Sequence, residues 1–198
     1  MMDWYKHYSA EPGETVFDLG AGGEFKHEGE STYFYSTEVG ETGLVVAVEP
    51  VIKNYGHLLR MVVANHLLNV VPVFLAIGEE TSRQLINISQ RSPGHSLTLY
   101  YSKLHVEERV VPTVSWDDLV DMLCIEHVDL AKVNIEGAEE MLLRGMTKVL
   151  PDRMGLKFHI KRGGVTIENM RKLLEEKGYH VKRVRQGRDT SFLAELRK

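Results

Sequence analysis

Short apolar runs alternate along this chain with segments whose apolar positions recur every three or four residues, the signatures of strand and helix respectively. The runs TVFDL (15–19) and LVVAV (44–48) predict strands, and the polar, glycine-containing stretch between them leaves room for a short helix around 32–39. From Ile52 to Leu68, residues Leu58, Leu59, Val62, Val63 and His66 fall at helical spacing. VVPVFLAIG (70–78) predicts one buried strand, with Pro72 tolerable near its start. Residues 80–112 carry a Ser-Pro-Gly turn and no helical period, so extended segments and loops are expected there. WDDLVDML (116–123) predicts a short helix capped by Ser115, with Asp118 three residues on. Strand 128–135, helix 137–149, strand 154–160 and a helix over 166–177, starting at Thr166 and stopping at Gly178, continue the alternation. YHVKRVR and TSFLAELR read as a closing hairpin. The rhythm predicts an α/β fold, a single domain over 1–198, with a mainly parallel sheet covered by helices on both faces.

Composition narrows the class of partner. The 198 residues suit one domain with a full core, and a net charge of −4 offers no basic excess to hold a phosphate backbone. Lys182, Arg183, Arg185 and Arg188 cluster near the C-terminus, which reads first as a solvated surface. A single cysteine, Cys124, permits no internal disulfide and fits a reducing compartment. The charged N-terminal segment lacks the apolar run of a secretory signal, and no uncharged stretch is long enough to span a bilayer. A cytoplasmic protein without membrane or nucleic-acid partners is expected.

The segment VFDLGAGGEF (16–25) ends a strand in clustered glycines, which brings bare backbone close to a ligand. In open α/β sheets ligands bind beyond the carboxyl ends of the strands, at the point where strand order reverses. An acid at the tip of the second strand then accepts hydrogen bonds from ribose hydroxyls, and Glu49, followed by Pro50, stands there. A dinucleotide fingerprint would require glycine where Phe25 stands, and Glu24 would set negative charge near a pyrophosphate. The Walker lysine is absent. S-adenosylmethionine fits better, because its ammonium and sulfonium suit carboxylates such as Asp18; a nicotinamide cofactor, as in a dehydrogenase, is the alternative.

Five segments in order resemble the FkbM-type S-adenosylmethionine-dependent methyltransferases. These are VFDLGAGGEF, GLVVAVEP, LLNVVPVFLAIGEE, VPTVSWDDLV and VDLAKVNIEGAEEMLLRGM; the last is similar to the family's Lys-x-Asp-x-Glu-Gly-x-Glu signature. The resemblance implies a Rossmann-like seven-stranded class I methyltransferase fold with an antiparallel final strand. It also implies methyl transfer, usually to a hydroxyl of a sugar, glycan or small metabolite. Carried over by residue, it implies that Asp18, Gly20, Ala21 and Gly22 line the methionine part, Glu49 holds the ribose, and Ala76 and Ile77 lie near adenine. This chain departs from the family at Asn134, where the signature has aspartate, and at Lys157, where an acid commonly precedes the histidine. An RNA methyltransferase and a non-catalytic cofactor-binding module of the same fold are the other readings.

Alternation in the strand around 128–135 points Lys132, Asn134 and Glu136 the same way. Glu136 and His159 both fall at the carboxyl ends of strands, where a hydroxyl acceptor would need a proton acceptor. His159 is expected to be that base, with Glu136 orienting the acceptor or the ring and Asn134 donating a hydrogen bond. His95 and His105 are the next candidates. No spacing resembles a zinc site, so no metal is expected.

Overall fold

The structure, a computed structural model, describes residues 8–22, 30–89, 95–98, 105–159, 166–186 and 189–197. Its elements are β1 (Thr15–Leu19), α1 (Glu30–Val39), β2 (Leu44–Val48), α2 (Ile52–Ala64), β3 (Val70–Val73), β4 (Ala76–Gly78), β5 (Ser82–Ser89), β6 (His105–Ser115), α3 (Trp116–Met122), β7 (Leu130–Val133), α4 (Glu139–Arg144), β8 (Arg153–Phe158), α5 (Ile167–Glu176), β9 (Tyr179–Gln186) and β10 (Asp189–Leu196). Seven strands form one sheet in the order β3-β2-β1-β7-β8-β10-β9. The first five are parallel, while β10 runs antiparallel between β8 and β9. This is the Rossmann-like seven-stranded class I methyltransferase fold, with the expected closing hairpin supplying the antiparallel strands.

Period-two alternation divides the central strands between two apolar layers. Val16, Val45, Ala47 and Leu130 pack with Tyr35 and Val39 of α1 and Leu58 of α2. Phe17, Leu19, Val46, Val48, Ala131 and Val133 pack on the other face with Trp116 and Leu119 of α3, Leu142 of α4 and Leu174 of α5. The Phe17 and Trp116 rings meet at 4.8 Å, and the indole N–H of Trp116 donates to the Val149 carbonyl at 2.6 Å, so this large side chain buries no unmet donor. Helix starts follow the expected caps: Ser115 Oγ accepts from Asp118 N and Thr166 Oγ1 from Asn169 N, each at 3.1 Å.

Three predictions change. The apolar run 70–78 is two strands: β3 stays at the edge of the main sheet, whereas β4 joins a second sheet of order β4-β6-β5. A continuous apolar run carries no mark of that transfer. The helix expected over 137–149 is confined to Glu139–Arg144, because Glu136 and Gly137 both take positive φ, +50° and +98°, which helical backbone cannot hold. The helix beginning at Ile52 ends at Ala64, where His66 turns left-handed at φ +53°. Among the described residues no helix is long and apolar enough to cross a membrane.

Candidate active site

Strand order reverses between β1 and β7, and a cleft opens beyond the carboxyl ends of β1, β2 and β7. It encloses about 600 Å³, its open mouth included, and Gly20, Gly22, Glu49 and Pro50 lie along it. Gly20 has φ +76°, and a Cβ there would run into the Asn134 carbonyl. A Cβ on Gly22 would lie 2.6 Å from Glu49 Oε2. Close approach therefore demands both glycines, and at Gly20 the backbone conformation demands it as well.

Glu49 is buried, and its carboxylate is held by three donors: Val51 N at 2.8 Å, Gly22 N at 2.9 Å and, more loosely, Asn54 Nδ2 at 3.5 Å. Burial pushes its pKa up to about 7, against the pull of the Val51 and Gly22 amides, Asn54 and the Lys132 charge. Ala76 and Ile77, both buried, form an apolar wall of the same cleft together with Leu75 and Ile86.

Asp18 and Ala21 are not among the residues lining it. Asp18 shares the sheet face of Val16 and so lies beneath α1, where its Oδ2 accepts from Ser31 Oγ at 2.7 Å and Thr32 Oγ1 at 2.6 Å. Its Oδ1 sits 2.7 Å from Lys132 Nζ, the residue paired with it in register on β7. Lys132 also donates to the Gly20 carbonyl at 2.8 Å. The pair supports the glycine turn from below, and Asp18's charge is committed to lysine before any ligand arrives. Lys132 thus faces the interior, not the cleft beside Asn134 and Glu136.

The far end of the cleft is polar. Asn134 and Glu136 line it, and Asn134 Oδ1 is buried without a hydrogen-bond partner among the described residues. Glu136 holds φ +50°, a left-handed conformation that costs a non-glycine residue roughly 1–2 kcal/mol. Ser96 Oγ donates to the Glu136 carbonyl, and Thr98 Oγ1 donates to that of Gly137 at 2.8 Å, so the segment 95–98 straps the turn in place.

His159 lies behind Glu136 instead of lining the cleft. Its Nδ1 is 2.8 Å from Glu139 Oε1 and its Nε2 is 3.3 Å from Glu136 Oε1. Burial alone would lower its pKa, but hydrogen bonds to Glu136 and Glu139, reinforced by their charges, raise it to about 9. Both ring nitrogens thus face carboxylates, and the raised pKa favours the protonated ring over the free base expected from the sequence.

Sequence reasoning missed Glu139, fully buried and the closest partner of His159, although it is the last acid of the signature already singled out. It also left His95 as a reserve. His95 lines the cleft with Ser96 and Leu97, and its Nδ1 accepts from Ser89 N at 3.0 Å. Burial lowers its pKa, opposed by the charge of Glu136 and aided by that of Lys53. The side chain of His105 is outside the described ones. Lys182 and Arg183 are exposed on β9, while the Arg185 side chain and Arg188 fall outside the description.

A family model described as the methyltransferase FkbM domain matches residues 18–181. No curated protein matches the sequence. Among solved structures, the chain is similar to Aeropyrum pernix fibrillarin in complex with natively bound S-adenosyl-L-methionine, at 16% identity and TM-score 0.58, over 93% of this chain and 67% of that one. It is similar to the methyltransferase FkbM from Methylobacillus flagellatus KT at 16% identity and TM-score 0.58, covering 94% of this chain but 44% of that protein. It is also similar to precorrin-6y C5,15-methyltransferase from Geobacter metallireducens GS-15, at 14% identity and TM-score 0.52, over 98% and 85%. At these identities the structural likenesses speak for the fold, and the family model, which spans most of the chain, speaks for the lineage. The chain belongs to the FkbM methyltransferase family, as an S-adenosylmethionine-dependent methyltransferase.

Proposed function

We propose that the enzyme methylates a hydroxyl oxygen of a small molecule, such as a sugar, a glycan or a related metabolite. The residues present fit the cofactor. The cradle at Gly20 and Gly22 leaves space that a Cβ would fill, and the buried Asn134 Oδ1 lacks a donor that an ammonium would supply. In this reading Glu49 holds the ribose, Ala76 and Ile77 flank adenine, and Gly20 and Gly22 admit the methionine part. The bound cofactor supplies an electrophilic methyl carbon on a positively charged sulfur.

The observation that carries the hydroxyl reading is the polar end of the cleft, where Asn134, Glu136 and His95 face one space. A hydroxyl both donates and accepts, and a carboxylate, an amide and an imidazole meet both needs. Holding the acceptor oxygen against the methyl carbon supplies much of the rate of such a displacement. The net charge of −4 favours a small acceptor over a nucleic-acid backbone.

The test is calorimetry with S-adenosylhomocysteine, followed by transfer of labelled methyl from S-adenosylmethionine to panels of sugars, oligosaccharides and hydroxylated metabolites. Binding at about micromolar Kd and an O-methylated product are expected. Salt-sensitive methylation of RNA, abolished by neutralising Arg183 and Arg185, would replace the small-molecule reading. Binding without turnover on any panel would make the chain a cofactor-binding module, and NADH binding with no response to S-adenosylhomocysteine would make it a dehydrogenase.

A further inference from the structure

We infer that Glu136, and not His159, takes the acceptor's proton, and that the buried Glu139 positions Glu136 through the ring of His159. The inference rests on the methyl-transfer reading and assigns the acid–base chemistry within the same cleft. Carboxylate oxygens only accept hydrogen bonds, and here one carboxylate stands at each nitrogen of His159, at 2.8 and 3.3 Å. Both contacts are made together only when both ring nitrogens carry protons. Glu139 completes the arrangement: it is fully buried, and its Oε1 also accepts from Gly137 N at 3.0 Å, so it is fixed to the backbone of the strained turn. A carboxylate at that depth needs a cation beside it, and the imidazolium is that cation.

His95, which does line the cleft, has its Nδ1 lone pair taken up by the Ser89 amide. Its proton therefore sits on Nε2, which makes it a donor to an incoming hydroxyl. Asn134 carries an amide, which is no base. Glu49 stands at the ribose end with its oxygens already accepting from the backbone. The carboxylate of Glu136 is left at the polar end, and the chain invests in aiming it. The residue adopts φ +50°, its carbonyl is tied by the Ser96 hydroxyl, and the following carbonyl is tied by Thr98. Strain of this kind, fastened from two sides, belongs to a side chain whose direction matters.

In the step itself, a lone pair of the acceptor oxygen forms the C–O bond with the methyl carbon. The C–S bond breaks with its electron pair going to sulfur, and the hydroxyl proton passes to a carboxylate oxygen of Glu136. A carboxylate is basic enough, because the attacking oxygen becomes strongly acidic as the new bond forms. His159 keeps its proton throughout and holds the Glu136 carboxylate in place. From Glu136 the proton leaves through the open mouth of the cleft.

The experiment is a titration of the His159 ring by NMR in the full chain with labelled histidine, for the wild type, Glu139→Gln and Glu136→Gln, with His159→Gln to assign the resonance. Calorimetry with S-adenosylhomocysteine runs alongside. The expected midpoint is near pH 9 in the wild type and at least one pH unit lower in each Gln variant, with cofactor affinity within about threefold of wild type. On an acceptor found by the panels, Glu136→Gln should lose about a hundredfold or more in kcat. Glu139→Gln should lose less, and the wild-type kcat at saturating cofactor should show no rise through the ordinary histidine range. A wild-type midpoint near 6.5, or full turnover in Glu136→Gln, overturns the inference. The ring titration requires neither cofactor nor acceptor. Failure to bind S-adenosylhomocysteine therefore sinks the methyl-transfer reading, and a neutral His159 sinks this one.

Discussion

Strands β7 and β8 carry a histidine between two carboxylates at each of their ends, and the two clusters differ in almost everything except composition. At the carboxyl end, His159 lies between Glu139 and Glu136, with side-chain exposures of 14%, 1% and 13%. At the amino end, His127 lies 3.1 Å from Asp129 and 3.8 Å from Asp152, with exposures of 61%, 25% and 32%. The upper set sits on a strained turn strapped by hydroxyls. The lower set sits on ordinary strand beginnings, where Asp129 Oδ2 accepts from Thr15 N at 2.8 Å. In water the charges of such a cluster are screened, and in the interior they dictate protonation. Residue types in proximity therefore say little about chemistry until burial and backbone are known.

The sharpest way to break the upper end is to fill its cradle. Gly20→Ala places a Cβ against the Asn134 carbonyl at a backbone angle, φ +76°, that alanine resists. A destabilisation of roughly 3 kcal/mol is expected from strain plus clash. S-adenosylhomocysteine affinity should fall by about a hundredfold or more, read by calorimetry below the variant's lowered melting temperature. Retained affinity would show that the cleft's floor is not the cofactor's.

Much of this end was legible in the sequence, for reasons that can be stated. Glycines at a strand end and Glu49 at the next strand's tip are local features that the α/β rhythm places together, whereas Ala76 and Ile77 came from the family resemblance alone. Asp18 was expected at the ligand, but β1 is apolar on both faces, so alternation does not say which face meets a helix and which a ligand. That choice became visible only with the β1–β7 register, which sets Lys132 opposite Asp18. Glu139 was given no role. Its contact with His159 spans two strand ends and has no local signature. His95 lay in a segment without periodicity, and its place over the cleft depends on the Asn87–Ser96 pairing with β5.

Protonation of His159 sharpens the comparison next. Its folded pKa, about 9, lies above the ordinary histidine value of 6.5. The stabilisation is therefore complete below about pH 6.5 and is lost as pH rises through 9. Glu49, also raised, has finished titrating by then, since its pKa is about 7. Urea melts should show the wild type losing roughly 2 kcal/mol between pH 7.5 and 10 relative to His159→Gln. Parallel curves for wild type and His159→Gln would mean that the upper ring is not held as a cation.

Glu49 makes a smaller effect, read in binding. In the proposed reading, only its ionised form accepts from both ribose hydroxyls while holding the Val51 and Gly22 amides. S-adenosylhomocysteine affinity should therefore weaken as pH falls through about 7, levelling off about tenfold lower once the carboxylate is protonated. Glu49→Gln should flatten that slope and bind about tenfold more weakly at pH 8. A slope that survives the substitution would place the titrating group elsewhere.

The smallest effect belongs to the lower cluster. An exposed ion pair gains little Coulomb energy in water and gives up side-chain entropy, so it contributes at most about 1 kcal/mol. His127 is exposed, whereas Asp129 keeps its bond to the Thr15 amide whether or not the imidazole is present. His127→Ala should change stability by less than about 1 kcal/mol and leave S-adenosylhomocysteine affinity unchanged, since the cleft lies at the other end of the strands. High salt should shrink even that difference. Melting curves with and without added zinc or manganese complete the comparison. A loss above about 2 kcal/mol, or a melting point that a divalent ion raises in the wild type but not in His127→Ala, would mean that proximity alone had built a site at the exposed end. The contrast between the two ends would then rest on ligand choice and not on burial.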